Sequence, residues 1–131
     1  MVTASDRSVV AFSLSGGNAH DAPEGERLLD SVERLPEHTY MLMDRAYEGD
    51  KMRAKVIEKG YEAVVPPKKN RKEPWEYDKE RYKQRNEIER YFLRLKRFRK
   101  IFTRYDKLDI VFIGFIYFAI SIDAIICVNR L

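Results

Sequence analysis

The chain has 131 residues, enough for one domain with a buried core, and its 44% apolar and 12% aromatic content excludes a disordered chain. A single cysteine, Cys127, excludes an internal disulfide and a multi-cysteine zinc site. The net charge of +4 is unevenly distributed: residues 68–107 hold 16 Lys and Arg against 7 Asp and Glu, so this block carries +9 and the remainder −5. Such a block is typical of proteins whose partner bears phosphates, although ion pairs along a solvated helix would give the same composition.

The first half of the chain alternates strand patterns with helix patterns. Residues 8–14 predict a strand, residues 21–35 a helix with apolar residues at helical spacing, and residues 39–43 a short buried strand. Residues 50–60 predict a second helix, and residues 61–67 a third strand that ends at two prolines. Strands and helices that alternate in short units favour an α/β domain.

The second half of the chain is first basic and then apolar. Residues 68–79 form a basic loop, in which Trp75 is predicted to anchor the loop on the domain, with stacking on an unpaired base as the alternative. A long helix is predicted over 80–102 and an apolar helix over 108–127. The uncharged apolar run at 110–122 is shorter than the roughly 18 residues expected of a membrane-spanning helix. We therefore expect a core helix at 108–127, and neither a signal peptide nor a membrane partner.

The predicted helix 80–102 carries two neighbouring stripes at 100° per residue. The core stripe contains Ile88, Tyr91, Leu95, Phe98 and Phe102. The second stripe contains Tyr82, Arg85, Glu89 and Lys96. Glu87 points about 160° away from Glu89. The stripe predicts either ordinary ion pairs, worth a few tenths of a kcal/mol each, or a carboxylate that faces an active site with cations directed at phosphates.

Asp44 comes directly after the predicted strand at 39–43. Ligands of α/β sheets bind at the carboxyl ends of strands, so Asp44 is in the place of a functional carboxylate, although a turn or capping Asp is commoner. Two carboxylates from different elements, Asp44 and Glu89, can hold Mg²⁺, which takes oxygen ligands and completes its shell with substrate phosphates.

These residues resemble those of a known family. Tyr82, Arg85, Glu89 and Lys96 match the Y-x2-R-x3-E-x6-K signature of bacterial insertion-sequence DDE transposases at every position and spacing. The segment "MLMDRAYEGD" resembles the one that carries the family's second catalytic Asp, "FSLSGGNAHD" the strand and turn before it, and "LKRFRKIFTRYDK" the stretch after the Glu. The resemblance covers about residues 8–122 and points to the insertion-sequence-five type.

The resemblance implies a ribonuclease-H-like fold, with a mixed five-stranded sheet flanked by helices, of which residues 1–131 form a partial catalytic domain. It implies DNA strand cleavage and transfer with two Mg²⁺ ions, or Mn²⁺ as a substitute, held by three carboxylates. Asp44 and Glu89 would be two of these catalytic metal ligands. The signature residues Tyr82, Arg85 and Lys96 would contact transposon-end and target DNA. The protein would be cytoplasmic and associated with the nucleoid.

One catalytic residue of the family has no counterpart. The first catalytic Asp of the family lies on a first strand upstream of "FSLSGGNAHD", and Asp6 lies too close to that segment to be expected as its substitute. We therefore expect a domain that is N-terminally truncated, lacks its first strand and is inactive alone, with an upstream-frame product or a second copy as partner. An inactive remnant that uses only its basic surface to bind DNA is the alternative.

Overall fold

The computed structural model describes residues 1–5, 8–16, 20–33, 35, 36 and 38–129. Its elements in chain order are β1 (Val2–Ser5), β2 (Ser8–Ala11), α1 (Asp21–Ser31), β3 (Tyr40–Leu42), a 3₁₀ turn (Arg45–Tyr47), α2 (Asp50–Glu58), β4 (Glu62–Val64), α3 (Lys79–Lys83), α4 (Asn86–Leu95), α5 (Arg99–Phe102) and α6 (Asp109–Val128). This mixture of strands and helices confirms the α/β class. Asp6 lies outside the described residues.

The chain forms two compact units. We call Met1–Leu14 with Asn86–Leu131 the terminal unit, and Ser15–Arg85 the central unit. The strands pair within these units, β1 with β2 in antiparallel and β3 with β4 in parallel orientation. Among the described residues the strands therefore form two two-stranded sheets. The resemblance implied instead one mixed sheet that lacks the first of its five strands.

The central unit is built around the parallel pair. Tyr40 lies opposite Glu62 and Leu42 opposite Val64. The core beside this pair consists of Leu29, Met41, Met43, Met52, Val56, Tyr61 and Val65. Helix α1 ends at Ser31, several residues before the predicted end, because the Ser31 hydroxyl donates to the Leu28 carbonyl and the chain turns extended at Val32.

The terminal unit joins the antiparallel pair to the last helices. Helix α4 packs against β1 and α6. Tyr91 and Leu95 of α4 are buried with Ala119 of α6, and Val9 of β2 packs against this cluster. Strand β1, with the sequence VTAS, was not predicted because only one of its four residues is a large apolar side chain.

The prediction of one continuous helix over 80–102 is wrong. The segment forms three helices, α3, α4 and α5, separated by turns at 84–85 and 96–98. At both turns the backbone tightens to bonds between residues three apart, Arg85 to Tyr82 and Phe98 to Leu95. The predicted core stripe consequently does not extend to its last member, because Phe102 is 69% exposed.

Helix α6 matches the predicted apolar helix 108–127 to within one residue at each end. One face is buried, through Phe112, Ile116, Ala119 and Asp123. The other face is not, and Ile110 and Phe118 are 79% and 61% exposed, so the expectation of a core helix holds for one face alone. In the part of the chain that the structure describes, α6 is also long and apolar enough to cross a membrane, which is weak evidence because core helices of soluble proteins share this property.

Candidate functional site

Asp44 lies just beyond the carboxyl end of β3. The Met43 amide donates to the Val64 carbonyl at 3.0 Å, which continues the pairing with β4 up to the residue before Asp44. The Oδ1 oxygen of Asp44 accepts from the Arg45 amide at 2.5 Å and caps the 3₁₀ turn. Asp44 is therefore a capping residue, and its side chain is also 57% exposed at a strand end, where a ligand can reach it.

Three of the five predicted site residues meet in the central unit. The Nη1 nitrogen of Arg85 lies 3.6 Å from the Oδ2 oxygen of Asp44. The Arg85 guanidinium lies 5.7 Å from the centroid of the Tyr82 ring, within the range of a cation–π contact. Tyr82 in turn packs edge-on against Tyr77 at 5.6 Å between ring centroids. Arg85 thus lies beside both the Asp44 carboxylate and the Tyr82 ring.

The other two predicted site residues, Glu89 and Lys96, lie in the terminal unit and are exposed. Glu89 is in the first turn of α4, where the positive end of the helix dipole favours a carboxylate. Lys96 follows the last residue of α4, and its amide donates to the Phe92 carbonyl at 3.0 Å. Tyr82 belongs to α3 and Glu89 to α4, and the turn at residues 84–85 separates these two helices in the chain.

Glu87 pairs within α4. It is half-buried, and its Oε1 oxygen lies 3.4 Å from the Nη1 nitrogen of Arg90, one turn further along. This is an ordinary helix pair, worth a few tenths of a kcal/mol. Glu87 is thus half-buried and Glu89 exposed, whereas the sequence placed Glu89 on the stripe beside the core and Glu87 away from it.

The start of the basic loop is held by a buried carboxylate. Glu48 is 6% exposed, and its oxygens lie 3.1 Å from Nη1 of Arg71 and 3.4 Å from Nζ of Lys68. Arg71 also pairs with Asp50. Burial alone would raise the pKa of Glu48, but the hydrogen bonds from Lys68 and Arg71 outweigh it and lower the pKa below its usual value. The sequence did not single out Glu48, because nothing in "AYEGD" predicts that its glutamate is buried.

Trp75 anchors the middle of the same loop, as predicted. Its Nε1 donates to the Val65 carbonyl at 2.9 Å. The Arg53 guanidinium lies 3.5 Å and that of Arg71 4.5 Å from the Trp75 ring centroid. The ring is therefore engaged by the protein itself, which favours the anchoring role over stacking on a base.

A part-buried ion pair between α4 and α6 stabilises the terminal unit. Both carboxylate oxygens of Asp123 in α6 accept from Arg94 of α4 at 3.3 Å. Burial raises the pKa of the neighbouring Tyr91 phenol to about 12, and the charge of Asp123 adds to this shift. The pair and the phenol hold α4, and with it Glu89, against α6.

The sequence of the chain is similar to those of known transposases. Residues 1–122 match the family described as Transposase DDE domain. A protein of Brucella ovis named "Putative transposase for insertion sequence element IS6501" is 32% identical over 105 residues, which cover 79% of this chain and 78% of that protein. No solved structure matches the chain significantly. The structure is of the α/β class. The chain belongs to the Transposase DDE domain family. The insertion-sequence-five type remains a prediction.

The family implies divalent metal ions, and the Asp and Glu side chains of the described residues are the kind of ligand that such ions bind. Carboxylate oxygens are the ligands that Mg²⁺ prefers. Within the described ranges, however, no three His, Cys, Asp or Glu side chains lie together as a metal site. Oδ1 of Asp44 accepts from Arg45 and Oδ2 faces Arg85, so a cation at this carboxylate would compete electrostatically with the Arg85 guanidinium.

Proposed function

We propose that the chain acts in the transposition of an insertion sequence, and that Asp44 and Glu89 are two of the three catalytic carboxylates of a ribonuclease-H-like DDE domain. The observation that carries this proposal is the position of Asp44 at the carboxyl end of β3 with Arg85 beside it. Carboxyl ends of strands are where α/β sheets bind their ligands, and membership of the family supplies the class of reaction.

In this proposal, Arg85 and Lys96 contact DNA phosphates. The planar guanidinium of Arg85 can donate two parallel hydrogen bonds to a phosphate, whereas Lys96 acts as an exposed point charge. The phenol of Tyr82 lies next to Arg85 and can pack or hydrogen-bond near the cleaved strand. These contacts would hold the scissile phosphate beside Asp44.

Asp44 and Glu89 would hold Mg²⁺, or Mn²⁺ in its place. Bound metal ions supply stabilisation of the entering and leaving oxygens when a phosphodiester is cut. The carboxylates would contribute negative charge and oxygen ligands, and the cap from Arg45 fixes the direction of the Asp44 carboxylate. A third carboxylate is needed from outside the described residues.

We infer that an Asp-bearing strand encoded upstream supplies this third carboxylate. In the described part of the chain both sheets are two-stranded, so each has edges whose backbone groups can pair with a further strand. The exposed apolar side of α6 supports association with a second copy or with an upstream-frame product, since large exposed apolar patches mark interfaces. We place this activity in the cytoplasm, at the nucleoid DNA.

The experiment joins the upstream reading frame to the chain and measures nicking of transposon-end DNA. The chain alone should not nick DNA with Mg²⁺ or Mn²⁺, and the fused protein should. In the fused protein, Glu89→Gln should abolish nicking but preserve DNA binding, because the amide keeps the size and removes the charge. Glu87→Gln is the matched control and should have little effect. Nicking that survives Glu89→Gln but is lost in Glu87→Gln would show that Glu87, and not Glu89, is the catalytic carboxylate.

A further inference from the structure

The buried carboxylate of Glu48 has no place in the proposed chemistry, yet it binds the start of the basic loop at residues 68–79. We propose that Glu48 is a positioning residue: it fixes this loop on the segment that carries Asp44, so that the exposed lysines of the loop form a preformed track for the DNA backbone. This inference rests on the proposed function, because it assigns the track to the DNA that reaches Asp44.

The first argument is the burial of the charge. A carboxylate that is 6% exposed is destabilising unless cations compensate for its lost hydration. Here Lys68 and Arg71 both do so, and the Arg71 amide donates to the Lys68 carbonyl at 3.1 Å, which forms a turn between these two residues. The first four residues of the loop are therefore fixed by one acidic side chain.

The second argument is that Arg71 links several anchors. Its guanidinium pairs with Glu48 and with Asp50 and also lies over the Trp75 ring. Trp75 is itself bonded to the Val65 carbonyl. Removing the charge of Glu48 would thus loosen the contact on which the position of Trp75 partly depends.

The third argument is that the far end of the loop is tied to the same segment. Tyr77 packs on Tyr82, and Arg85 pairs with Asp44. Both ends of the loop are therefore attached near Asp44 and Glu48, which lie four residues apart. The lysines between these ends, Lys69 and Lys72, are exposed. A loop that is ordered before binding loses less conformational entropy when DNA binds than a disordered loop does.

The test uses Trp75, the one tryptophan of the chain, as a fluorescent reporter of the loop, and measures affinity for duplex DNA. Glu48→Gln removes a negative charge, so simple electrostatics predicts tighter DNA binding. If Glu48 positions the loop, the variant should instead bind DNA about tenfold more weakly, because one or two side chains become disordered. The Trp75 emission should also shift to the red. Glu58→Gln makes the same charge change at an exposed site on α2 and should leave the emission and affinity close to those of the unmodified chain.

Arg71→Lys is the second variant, in case Glu48→Gln fails to fold. It keeps the charge but loses the fork that contacts Glu48 and Asp50 together, so it should also shift the emission and weaken binding. The inference is overturned if Glu48→Gln or Arg71→Lys folds and binds DNA as tightly as Glu58→Gln with unchanged emission.

Replacing Lys69 and Lys72 with Ala separates this inference from the proposed function. Weaker DNA binding by this variant is expected. If binding is unchanged, the loop is not a DNA track and the inference fails, whereas the nicking test of Glu89 is unaffected and decides the proposed function by itself.

Discussion

The Oδ2 oxygen of Asp44 lies 3.6 Å from the Nη1 nitrogen of Arg85. A proposed metal ligand and a proposed phosphate contact therefore form one ion pair. This pair holds the carboxylate at the end of β3 and keeps a cation where a metal ion would bind. If Arg85 contacts a DNA phosphate as proposed, its pair with Asp44 would weaken and the carboxylate would become more available to a cation.

This exchange predicts opposite effects of Arg85→Ala on two ligands. Without DNA, the variant of the fused protein should bind Mn²⁺ more tightly, by up to about fivefold, since an exposed ion pair is worth about 0.2–1 kcal/mol. Its affinity for DNA should fall, because a phosphate contact is lost. Titration with Mn²⁺ followed by electron paramagnetic resonance measures the first effect. Arg27→Ala, which removes an exposed ion pair with Glu24, is the control, and weaker Mn²⁺ binding by Arg85→Ala would contradict the exchange.

DNA binding should depend steeply on salt, because cations of residues 68–107 release counterions from the phosphates. Replacing Arg85 and Lys96 together with Ala should weaken binding to all sequences and reduce the slope of log K against log salt by about 1.8, roughly 0.9 for each phosphate contact. Fluorescence anisotropy over a series of salt concentrations measures the slope. Replacing Arg27 and Lys51 together makes the same charge change outside the basic block and should leave the slope unchanged; equal slopes for both double variants would exclude a localised interface.

Alkaline pH should destabilise the terminal unit through Tyr91. The folded pKa of about 12 exceeds the usual value near 10, so the fold favours the neutral phenol. The resulting stabilisation is complete below pH 10 and is lost as the pH rises from 10 to 12, reaching a loss of about 1 kcal/mol at pH 11. Urea unfolding at several pH values should therefore show a steeper decline for the unmodified chain than for Tyr91→Phe.

The control for this pH effect is Tyr105→Phe, which changes an exposed tyrosine of the same unit. Its free energy of unfolding should decline with pH in parallel with that of the unmodified chain. If Tyr91→Phe also follows the unmodified chain, ionisation of Tyr91 does not contribute to stability.

The sequence predicted those features that depend on local pattern. The short apolar run before Asp44 predicted the end of β3, and the long apolar run predicted α6. In both segments the apolar pattern and the local backbone propensity favour the same element. The directions of Glu87 and Glu89 relative to one another remain a prediction from ideal helical geometry.

Features that depend on tertiary contacts could not be predicted from pattern. Residues 80–102 contain no Pro or Gly to indicate a break, yet the chain tightens at Arg85, which pairs with Asp44, and at Phe98, which packs into the terminal unit. The buried Glu48 was missed for the same reason, because its cations, Lys68 and Arg71, come from a loop twenty or more residues further along the chain.

Whether Asp44 and Glu89 hold the same metal ion is tested most directly by iron-mediated backbone cleavage of the fused protein. Fe²⁺ that replaces Mg²⁺ generates radicals which cut the chain close to the ion. We expect cuts near both residue 44 and residue 89, with both sets lost in Asp44→Asn and in Glu89→Gln and both retained in Glu87→Gln. Cuts near one of the two positions alone, or cuts near residue 89 that persist in Asp44→Asn, would show that the two carboxylates do not share a metal site.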